Sequence, residues 1–364
     1  MKAPIPPAAR AWTPAFVMRI TLVALLLASA AWVCLACAGC RRARAQRTPE
    51  GIWISRAELA ALPLEGPAWE ALWAEAHKAA PRPHIADQNA RANVTVLAKA
   101  LVHARTGDEE SRRQVIDAIL AAIGTERGGR TLALGRKLVS YVIAADLVGL
   151  PEGEDRRFRA WLRSTLTEEL DGWTLRSTHE RRPNNWGTHA GASRVAVACY
   201  LGLEDELARC ARVFKGWLGD RSAHAGFEYG ERSWQADRRR PVGINRRGAT
   251  RDGHSIDGVL PDDQRRSGPF TWPPPRENYV YEALQGGLVQ AHILHRAGYA
   301  VWDWEDRALL RAFTWLHREA DYPPRGDDTW QAPLIDRVYG TSFWDGSPTR
   351  PGKSLGWTDW THAR

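Results

Sequence analysis

Apolar residues recur every three or four positions along most of the chain after residue 50, which is the spacing of helices that bury one face. Ser55 and Glu58 form a capping-box pattern that opens a short helix ending before Pro63. A second helix is predicted after Pro67, and the nearly apolar stretch 132–150 predicts a helix buried on most sides. Further helices are predicted at 94–107, 115–124, 154–170, 186–202, 204–218, 279–298 and 305–319.

Sheet is predicted to be a minor component at most, because no sustained alternation of apolar and polar residues with hairpin turns occurs. Short connections between consecutive helices favour antiparallel neighbours. The chain is therefore predicted to have an all-α fold, an α/α toroid built as an incomplete barrel of antiparallel helix pairs. The lack of a sequence repeat of fixed period disfavours a regular repeat array.

Residues 219–278 interrupt the helical pattern with a long stretch rich in Gly, Pro and Arg. A stretch of this length inside a compact domain is usually functional or disordered. Its aromatic side chains, among them Phe227, Tyr229 and Phe270, favour order. We therefore predict an ordered, irregular segment that lines a cleft.

The N-terminus has the pattern of an export segment. A basic, proline-rich start precedes an apolar run from Ile20 to about Cys37, and two A-x-A sites follow. Cys40 resembles the lipid acceptor of a bacterial lipoprotein, whereas the length of the run and the arginines after it also fit an uncleaved anchor helix. Residues 1–45 are predicted to be an export signal, lipoprotein signal or membrane anchor, and residues 46–364 one extracytoplasmic domain.

The charge of the chain does not indicate a nucleic-acid partner. The formal net charge is +8, but residues 1–45 hold six of the 50 basic residues and no acidic one. The rest of the chain carries 44 basic residues against 42 acidic ones. The excess of positive charge thus belongs to the export segment, and no nucleic-acid binding is predicted.

Neither a cofactor nor a metal is predicted. Beyond the export segment the cysteines are Cys199 and Cys210, too few for a disulfide framework and without a zinc-binding spacing, so both are predicted to be buried small hydrophobes. His292 and His295 lack an adjacent carboxylate spacing. The chain also has no phosphate-binding P-loop motif and no H-E-x-x-H zinc helix.

A first polar cluster is the run RRPNNWGTH at 181–189. If a helix begins near Asn184, Asn185 and His189 lie one turn apart on one face, with Trp186 at the same helix mouth. An alternative stays open here, in which Asn184 only caps the helix and His189 is a hydrogen-bonded core histidine.

A second cluster lies at 262–279 and includes Arg265, Arg266 and Arg276. Three consecutive prolines stiffen the approach to the helix that begins at Tyr279. A phenol acts as a base only when adjacent positive charge helps it, and guanidinium groups bind carboxylates in bidentate geometry. Two alternatives stay open. Tyr279 is a packed aromatic residue with a capped hydroxyl, and the arginines belong to a solvated charged loop.

The chain has 18 tryptophans. Those on apolar helical stripes are predicted to be core residues: Trp69, Trp73, Trp217 and Trp315. Because flat aromatic faces suit sugar rings, three others are assigned to the cleft: Trp186, Trp234 and Trp272.

Four stretches, RPNNWGTH, GINRRGAT, DGVLPDDQRR and WPPPRENYVYEALQGG, resemble the alginate-lyase-type helical-barrel proteins, and the layout is similar to that of polysaccharide lyases built on an α/α toroid. The resemblance covers most of residues 50–345, and its most specific motifs lie between 181 and 287. It implies that Asn185 matches the second Asn of the family's Asn–Asn–His helix start. It also implies that Asn278–Tyr279 matches the family's Asn–Tyr pair.

The sequence departs from the family pattern at two positions. Trp186 stands where the family has its catalytic His, and His189, one turn later, is the replacement that the resemblance suggests. Trp272 occupies the position of the family's catalytic Arg. An arginine of the second cluster has to replace it: Arg265, Arg266 or Arg276.

The resemblance implies a metal-independent lyase that cleaves an anionic, uronate-containing, alginate-like polysaccharide by β-elimination. Asn185 and an arginine, assigned to Arg266, neutralise the uronate carboxylate. Tyr279 or His189 removes the ring proton, and one of the two protonates the departing oxygen. The residues assigned to substrate binding are Asn184, Trp186, Trp234, Arg265, Trp272 and Arg276.

Two other classes of function stay open. A glycoside hydrolase on the same fold needs two carboxylates across a cleft, and its candidates are Glu228, Glu231, Asp237 and Asp262. A catalytically silent glycan-binding envelope protein is the other alternative, because the expected histidine is replaced at Trp186.

Overall fold

The computed structural model describes residues 51–80 and 82–363. The predicted export segment, with Cys40, lies outside the described residues, and the division at residue 45 stays a prediction. The α-helices of the described part are α1 (Arg56–Ala60), α2 (Pro67–Ala76), α3 (Ala92–Thr106), α4 (Glu109–Ala122), α5 (Thr131–Val148), α6 (Glu152–Thr165), α7 (Leu175–Arg181), α8 (Asn185–Leu201), α9 (Glu204–Leu218), α10 (Pro261–Gln264), α11 (Tyr279–Arg296), α12 (Trp304–Arg318), α13 (Gln331–Tyr339) and α14 (Thr358–Thr361).

The first helices begin and end where the local chemistry predicts. The Ser55 hydroxyl accepts the Glu58 N–H at 3.1 Å, and the Glu58 carboxylate accepts the Ser55 N–H at 2.6 Å, so the capping box at α1 is confirmed. Helix α2 has Pro67 in its first turn, as predicted. Gly107 ends α3 with a left-handed backbone, φ 78°.

Four helices, α3, α5, α8 and α11, are buried along most of their length. They pack side by side, α3 on α5, α5 on α8 and α8 on α11. Small residues allow this, because a Cβ at Gly135 would lie 2.7 Å from the Ala190 backbone nitrogen. Helix α9, which packs on α8, is amphipathic instead and buries residues such as Phe214 and Trp217.

Strand structure in the described part is limited to β1 (Thr250–Arg251) and β2 (His254–Ser255). They pair antiparallel, with Thr250 opposite Ser255 and Arg251 opposite His254. The all-α prediction is confirmed, and the closure of the helix pairs into a toroid stays a prediction.

The irregular segment is fixed against helix α12. The Trp315 indole donates to the Ser255 carbonyl at 2.9 Å, and Arg311 pairs with Asp257 at 2.5 Å and donates to the Asn245 carbonyl at 2.6 Å. These bonds agree with the prediction of an ordered segment. Its short helix α10 was not predicted, nor were α7, α13 and α14, each of nine residues or fewer.

The core assignment is wrong for Trp73, which is 41% exposed, and right for Trp69, Trp217 and Trp315, which are buried. Trp73 lies one turn after Trp69 on the same face of α2, with the two ring centres 5.5 Å apart, but the neighbouring elements cover Trp69 and leave Trp73 exposed.

Cys199 and Cys210 are both free thiols. Cys210 is buried as predicted, whereas Cys199 is only partly buried. Among the described residues no helix has both the length and the apolar character needed to cross a membrane.

Candidate active site

Asn184 and Asn185 form the mouth of helix α8. Asn184 caps the helix, since its Oδ1 accepts the Trp186 N–H at 3.2 Å, and its Nδ2 donates to Asp262 Oδ2 at 3.0 Å. Asn185 is buried, and its backbone N–H donates to Asp263 Oδ1 at 3.1 Å. Neither amide atom of the Asn185 side chain has a hydrogen-bond partner among the described residues. A buried amide left without partners is costly, which marks Asn185 as a ligand-binding candidate.

Two acidic residues connect this mouth to the segment 261–267. Asp262 accepts from the Arg265 guanidinium, with Arg265 Nε at 2.8 Å. Asp263 is almost fully buried, and its burial, together with the charge of Asp262, raises its pKa well above the ordinary value. The raised pKa favours the neutral acid form of Asp263. This reduces the electrostatic repulsion of an anion at the N-terminus of α8.

Tyr279 begins helix α11 and lies under Arg266. The Arg266 guanidinium carbon is 4.1 Å from the centre of the Tyr279 ring, within cation–π range. The Tyr279 N–H donates to Glu277 Oε1 at 2.9 Å, which fixes the start of the helix. The side chain is 38% exposed, so a ligand can reach the phenol.

His189 lies in the core rather than at the mouth of α8. It is fully buried, its Nε2 lies 3.7 Å from Glu282 Oε2, and its Nδ1 lies 3.5 Å from the Ser354 hydroxyl. Burial lowers the pKa of His189 to about 4, although Glu282 opposes this change. The imidazole is therefore neutral at pH 7 and is not presented to a ligand at the surface.

Glu282 pairs with Arg136 across helices α11 and α5, with Arg136 Nη2 2.6 Å from Glu282 Oε2. Burial alone would raise the pKa of Glu282, but His189 and Arg136 hold it down to about 2. Neither charged residue was predicted as a site residue, because each belongs to a largely apolar helix. A charge inside such a helix was the available signal, since buried charges are normally paired.

Trp186 is part of an aromatic and arginine stack that was also not predicted. The Arg182 guanidinium carbon lies 4.3 Å from the Trp173 ring centre and 4.6 Å from the Trp186 ring centre. Arg181 lies 4.9 Å from the Trp173 ring centre and pairs with Glu228. One face of Trp186 is thus occupied by Arg182.

The assignment of Trp234 to the cleft is wrong. Its ring is fully buried against Phe270 and Trp315, and its indole donates to the Gly268 carbonyl at 3.1 Å. The irregular segment folds inward at this position, so the aromatic content that favoured order here serves packing.

Trp272 and Arg276 are engaged elsewhere. The Trp272 ring stacks on His254, with ring centres 4.3 Å apart, and Arg276 pairs with Asp321 at 2.6 Å. The structure thus brings five of the predicted site residues to the segment 261–267 or into it: Asn184, Asn185, Arg265, Arg266 and Tyr279.

The described residues contain no group of three or more His, Cys, Asp or Glu side chains arranged to hold a metal ion. The fold and the site define an all-α protein whose polar centre is assembled at the N-termini of buried helices. The family model described as alginate lyase matches residues 97–235, so over this region the chain is similar to the alginate lyases. The resemblance is thereby confirmed over the matched residues, which include the stretch RPNNWGTH.

The matched region runs from helix α3 into the irregular segment and contains Asn185 and His189. It ends before Arg266 and Tyr279, whose roles stay predictions. No curated protein matches the chain significantly.

Proposed function

We propose that the protein is a polysaccharide lyase that cleaves a uronate-containing, alginate-like polysaccharide by β-elimination. The observation that carries the proposal is the buried, unpartnered amide of Asn185 at the mouth of α8. The Asn185 N–H donates to Asp263, and the Tyr279 ring lies against Arg266, so Asn185 and Tyr279 both contact the segment 261–267. An amide donor, a cation and an accessible phenol are the groups that this reaction needs.

The proposed elimination begins with neutralisation of the uronate carboxylate. When the adjacent C5–H bond breaks, negative charge develops on the carboxylate. The Asn185 amide and the Arg266 guanidinium stabilise this charge. Tyr279, as the phenolate, takes that proton, the electron pair of the C5–H bond forms the C4=C5 bond, and the C4–O bond breaks with its electrons on the glycosidic oxygen. The proton on Tyr279 then passes to the departing glycosidic oxygen, so Tyr279 acts first as base and then as acid. With the charge held by side chains, the scheme needs no metal.

His189 has a positioning role in this scheme, which differs from the acid/base role that the resemblance implied. Its imidazole is neutral and sealed beneath the protein surface beside Glu282 and Ser354. Trp186, at the family's histidine position, is stacked on Arg182 and supplies no proton donor to the reaction. The proton transfers are therefore assigned to Tyr279 alone.

The substrate is a polymer, so we place the enzyme outside the cytoplasm, delivered by the N-terminal segment as a secreted, periplasmic or membrane-attached protein. The apolar run at 20–37 and the acceptor-like Cys40 support this assignment.

Incubation with alginate, glucuronan and other polyuronates tests the function. We expect the ultraviolet absorbance of unsaturated sugar ends to rise in step with new reducing ends. Reducing ends without that absorbance would indicate hydrolysis, for which two of the candidate carboxylates are engaged in ion pairs, Glu228 with Arg181 and Asp262 with Arg265. Neither product, with retention on a polyuronate column, would indicate glycan binding alone.

The two neighbouring asparagines are expected to separate activity from stability. Asn185→Ala removes an amide without internal partners, so kcat/KM should fall about 10²-fold while the unfolding free energy changes little. Asn184→Ala removes the cap of α8 and should cost about 1 kcal/mol of stability, with a smaller loss of activity. Steady-state kinetics and urea unfolding measure both, and equal losses of activity in the two variants would contradict the role given to Asn185.

A further inference from the structure

Positive charge is concentrated in one stretch of the irregular segment, residues 232–247, here named the basic loop. Its arginines are Arg232, Arg238, Arg239, Arg240, Arg246 and Arg247. With one acidic residue, Asp237, the loop has a formal net charge of +5. Residues 46–364 as a whole carry 44 basic and 42 acidic residues, a net charge of +2, so the part of this domain outside the loop carries −3. The loop is therefore a positive region on a domain that is otherwise slightly negative.

The charges of the basic loop are not neutralised within the described part of the chain. All six arginines are exposed, and none forms an ion pair with a described residue. The Asp237 carboxylate instead accepts the backbone N–H groups of Arg239 at 2.8 Å and Arg240 at 3.3 Å, and the first of these bonds is the main reason why the pKa of Asp237 is lowered. Several unpaired cations close together attract an anion more strongly than a single one does.

The backbone that carries these arginines is fixed by side-chain hydrogen bonds. The Gln235 amide donates to the Val242 carbonyl at 2.9 Å and accepts the Val242 N–H at 3.0 Å. Asn245, which is fully buried, accepts the Ala236 N–H at 3.0 Å and donates to the Trp234 carbonyl at 2.8 Å. These bonds close the base of the loop. An ordered loop loses less conformational entropy when it binds a ligand than a flexible one does.

The basic loop begins next to the candidate active site. The Gly230 N–H, two residues before the loop, donates to Asp262 Oδ1 at 3.1 Å, and a Cβ at Gly230 would lie 2.4 Å from the guanidinium carbon of Arg265. The Trp234 indole, within the loop, donates to the Gly268 carbonyl at 3.1 Å. The first residues of the loop therefore lie along the segment that carries the arginines of the candidate site.

We propose that the basic loop is a second binding site for an anionic polysaccharide, which holds the polymer beside the candidate active site and takes no part in the reaction. The choice of a polyuronate as the ligand rests on the proposed function. Such a polymer carries a carboxylate on each uronate, and guanidinium groups bind carboxylates in bidentate geometry. Exposed ion pairs are individually weak, but several of them on one polymer keep it close to the protein while a single sugar reacts.

A variant that combines Arg238→Gln, Arg239→Gln and Arg240→Gln tests the proposal on the full-length protein. None of the three side chains makes a hydrogen bond or ion pair to the described residues, so the fold should be retained, which circular dichroism checks. We expect the dissociation constant for alginate at low salt to rise about tenfold, because only several exposed ion pairs together have a large effect. Retardation in native gels that contain alginate measures the dissociation constant, and added NaCl should weaken wild-type binding more than binding by the variant.

A matched control removes the same number of positive charges elsewhere. Arg156, Arg157 and Arg163 are exposed on α6, and their combined replacement by glutamine should leave the affinity for alginate unchanged. Equal affinities of the loop variant and this control would overturn the role of the loop, whether or not alginate is cleaved. Tighter binding of the wild type to DNA or to vesicles of anionic phospholipid than to alginate would overturn the choice of a polysaccharide as partner.

Kinetics separate the basic loop from the reaction itself. In the loop variant KM for alginate should rise and kcat should stay unchanged, since the proton transfers are assigned to Tyr279. A fall in kcat with unchanged KM would contradict a site that only binds. If the loop variant loses affinity for alginate and no polyuronate yields unsaturated ends, the proposed lyase function is wrong and the second binding site is supported.

Discussion

The Tyr279→Phe variant is expected to lose about 10³-fold in kcat on any polyuronate that the wild type cleaves, because proton transfer by a positioned group is worth about that much. Its stability should not change. The Tyr279 hydroxyl makes no hydrogen bond to the described residues, and the ring that contacts Arg266 is retained in phenylalanine. The initial rate of absorbance increase measures the first effect, and thermal unfolding measures the second.

Tyr281 provides a matched control on the same helix. Its hydroxyl donates to the Tyr322 carbonyl at 2.6 Å, and its ring is fully buried. Tyr281→Phe should therefore lose about 1 kcal/mol of unfolding free energy and keep its activity. Wild-type rates in Tyr279→Phe, or an equal loss of rate in Tyr281→Phe, would contradict the assignment of Tyr279 as the acid and base.

Helices and their ends were largely predictable because their causes are local. The capping box of Ser55 and Glu58 and the left-handed Gly107 act within one turn of the chain. The buried stretch 132–150 was predicted well for a related reason, since a helix apolar on all sides has only the interior to occupy. Trp73 shows the limit, because helical spacing defines a face and not what covers that face.

The candidate site was predictable in part. Asn184, Asn185 and Tyr279 were found because they stand at the N-termini of helices that the sequence pattern predicts. The pairing of Arg136 with Glu282 joins residues 146 positions apart and depends on how α5 and α11 pack, which no local pattern specifies. Residues 350–355 have no apolar periodicity, so the contact of Ser354 with His189 was not predictable from a local pattern either.

The buried pair of Arg136 and Glu282 leads to the largest expected effect on stability. Arg136→Met leaves the Glu282 carboxylate buried without its main partner, which should cost about 3–5 kcal/mol of unfolding free energy at pH 7. Lys353, 3.8 Å from the same carboxylate and partly exposed, compensates in part. Urea unfolding monitored by tryptophan fluorescence measures the loss.

The pH dependence of this loss identifies its cause. The pKa of Glu282 is about 2 in the folded protein, below its ordinary value. The stabilisation by the ionised carboxylate is therefore fully present above the unfolded pKa of about 4.3, and it is lost as the pH falls towards about 2. The stability difference between wild type and Arg136→Met should thus be largest near neutral pH and should shrink as the pH falls through this range.

Two further variants separate the buried charge from a general loss of packing. Arg136→Met combined with Glu282→Met replaces the whole pair by apolar side chains and should recover most of the lost stability, since the unpaired charge is gone. Arg156→Met breaks an exposed pair with Glu152 on α6 and should cost less than about 1 kcal/mol. If the double variant is as unstable as Arg136→Met, or if the loss in Arg136→Met is independent of pH, then packing of the arginine side chain and not its charge stabilises the fold at this position.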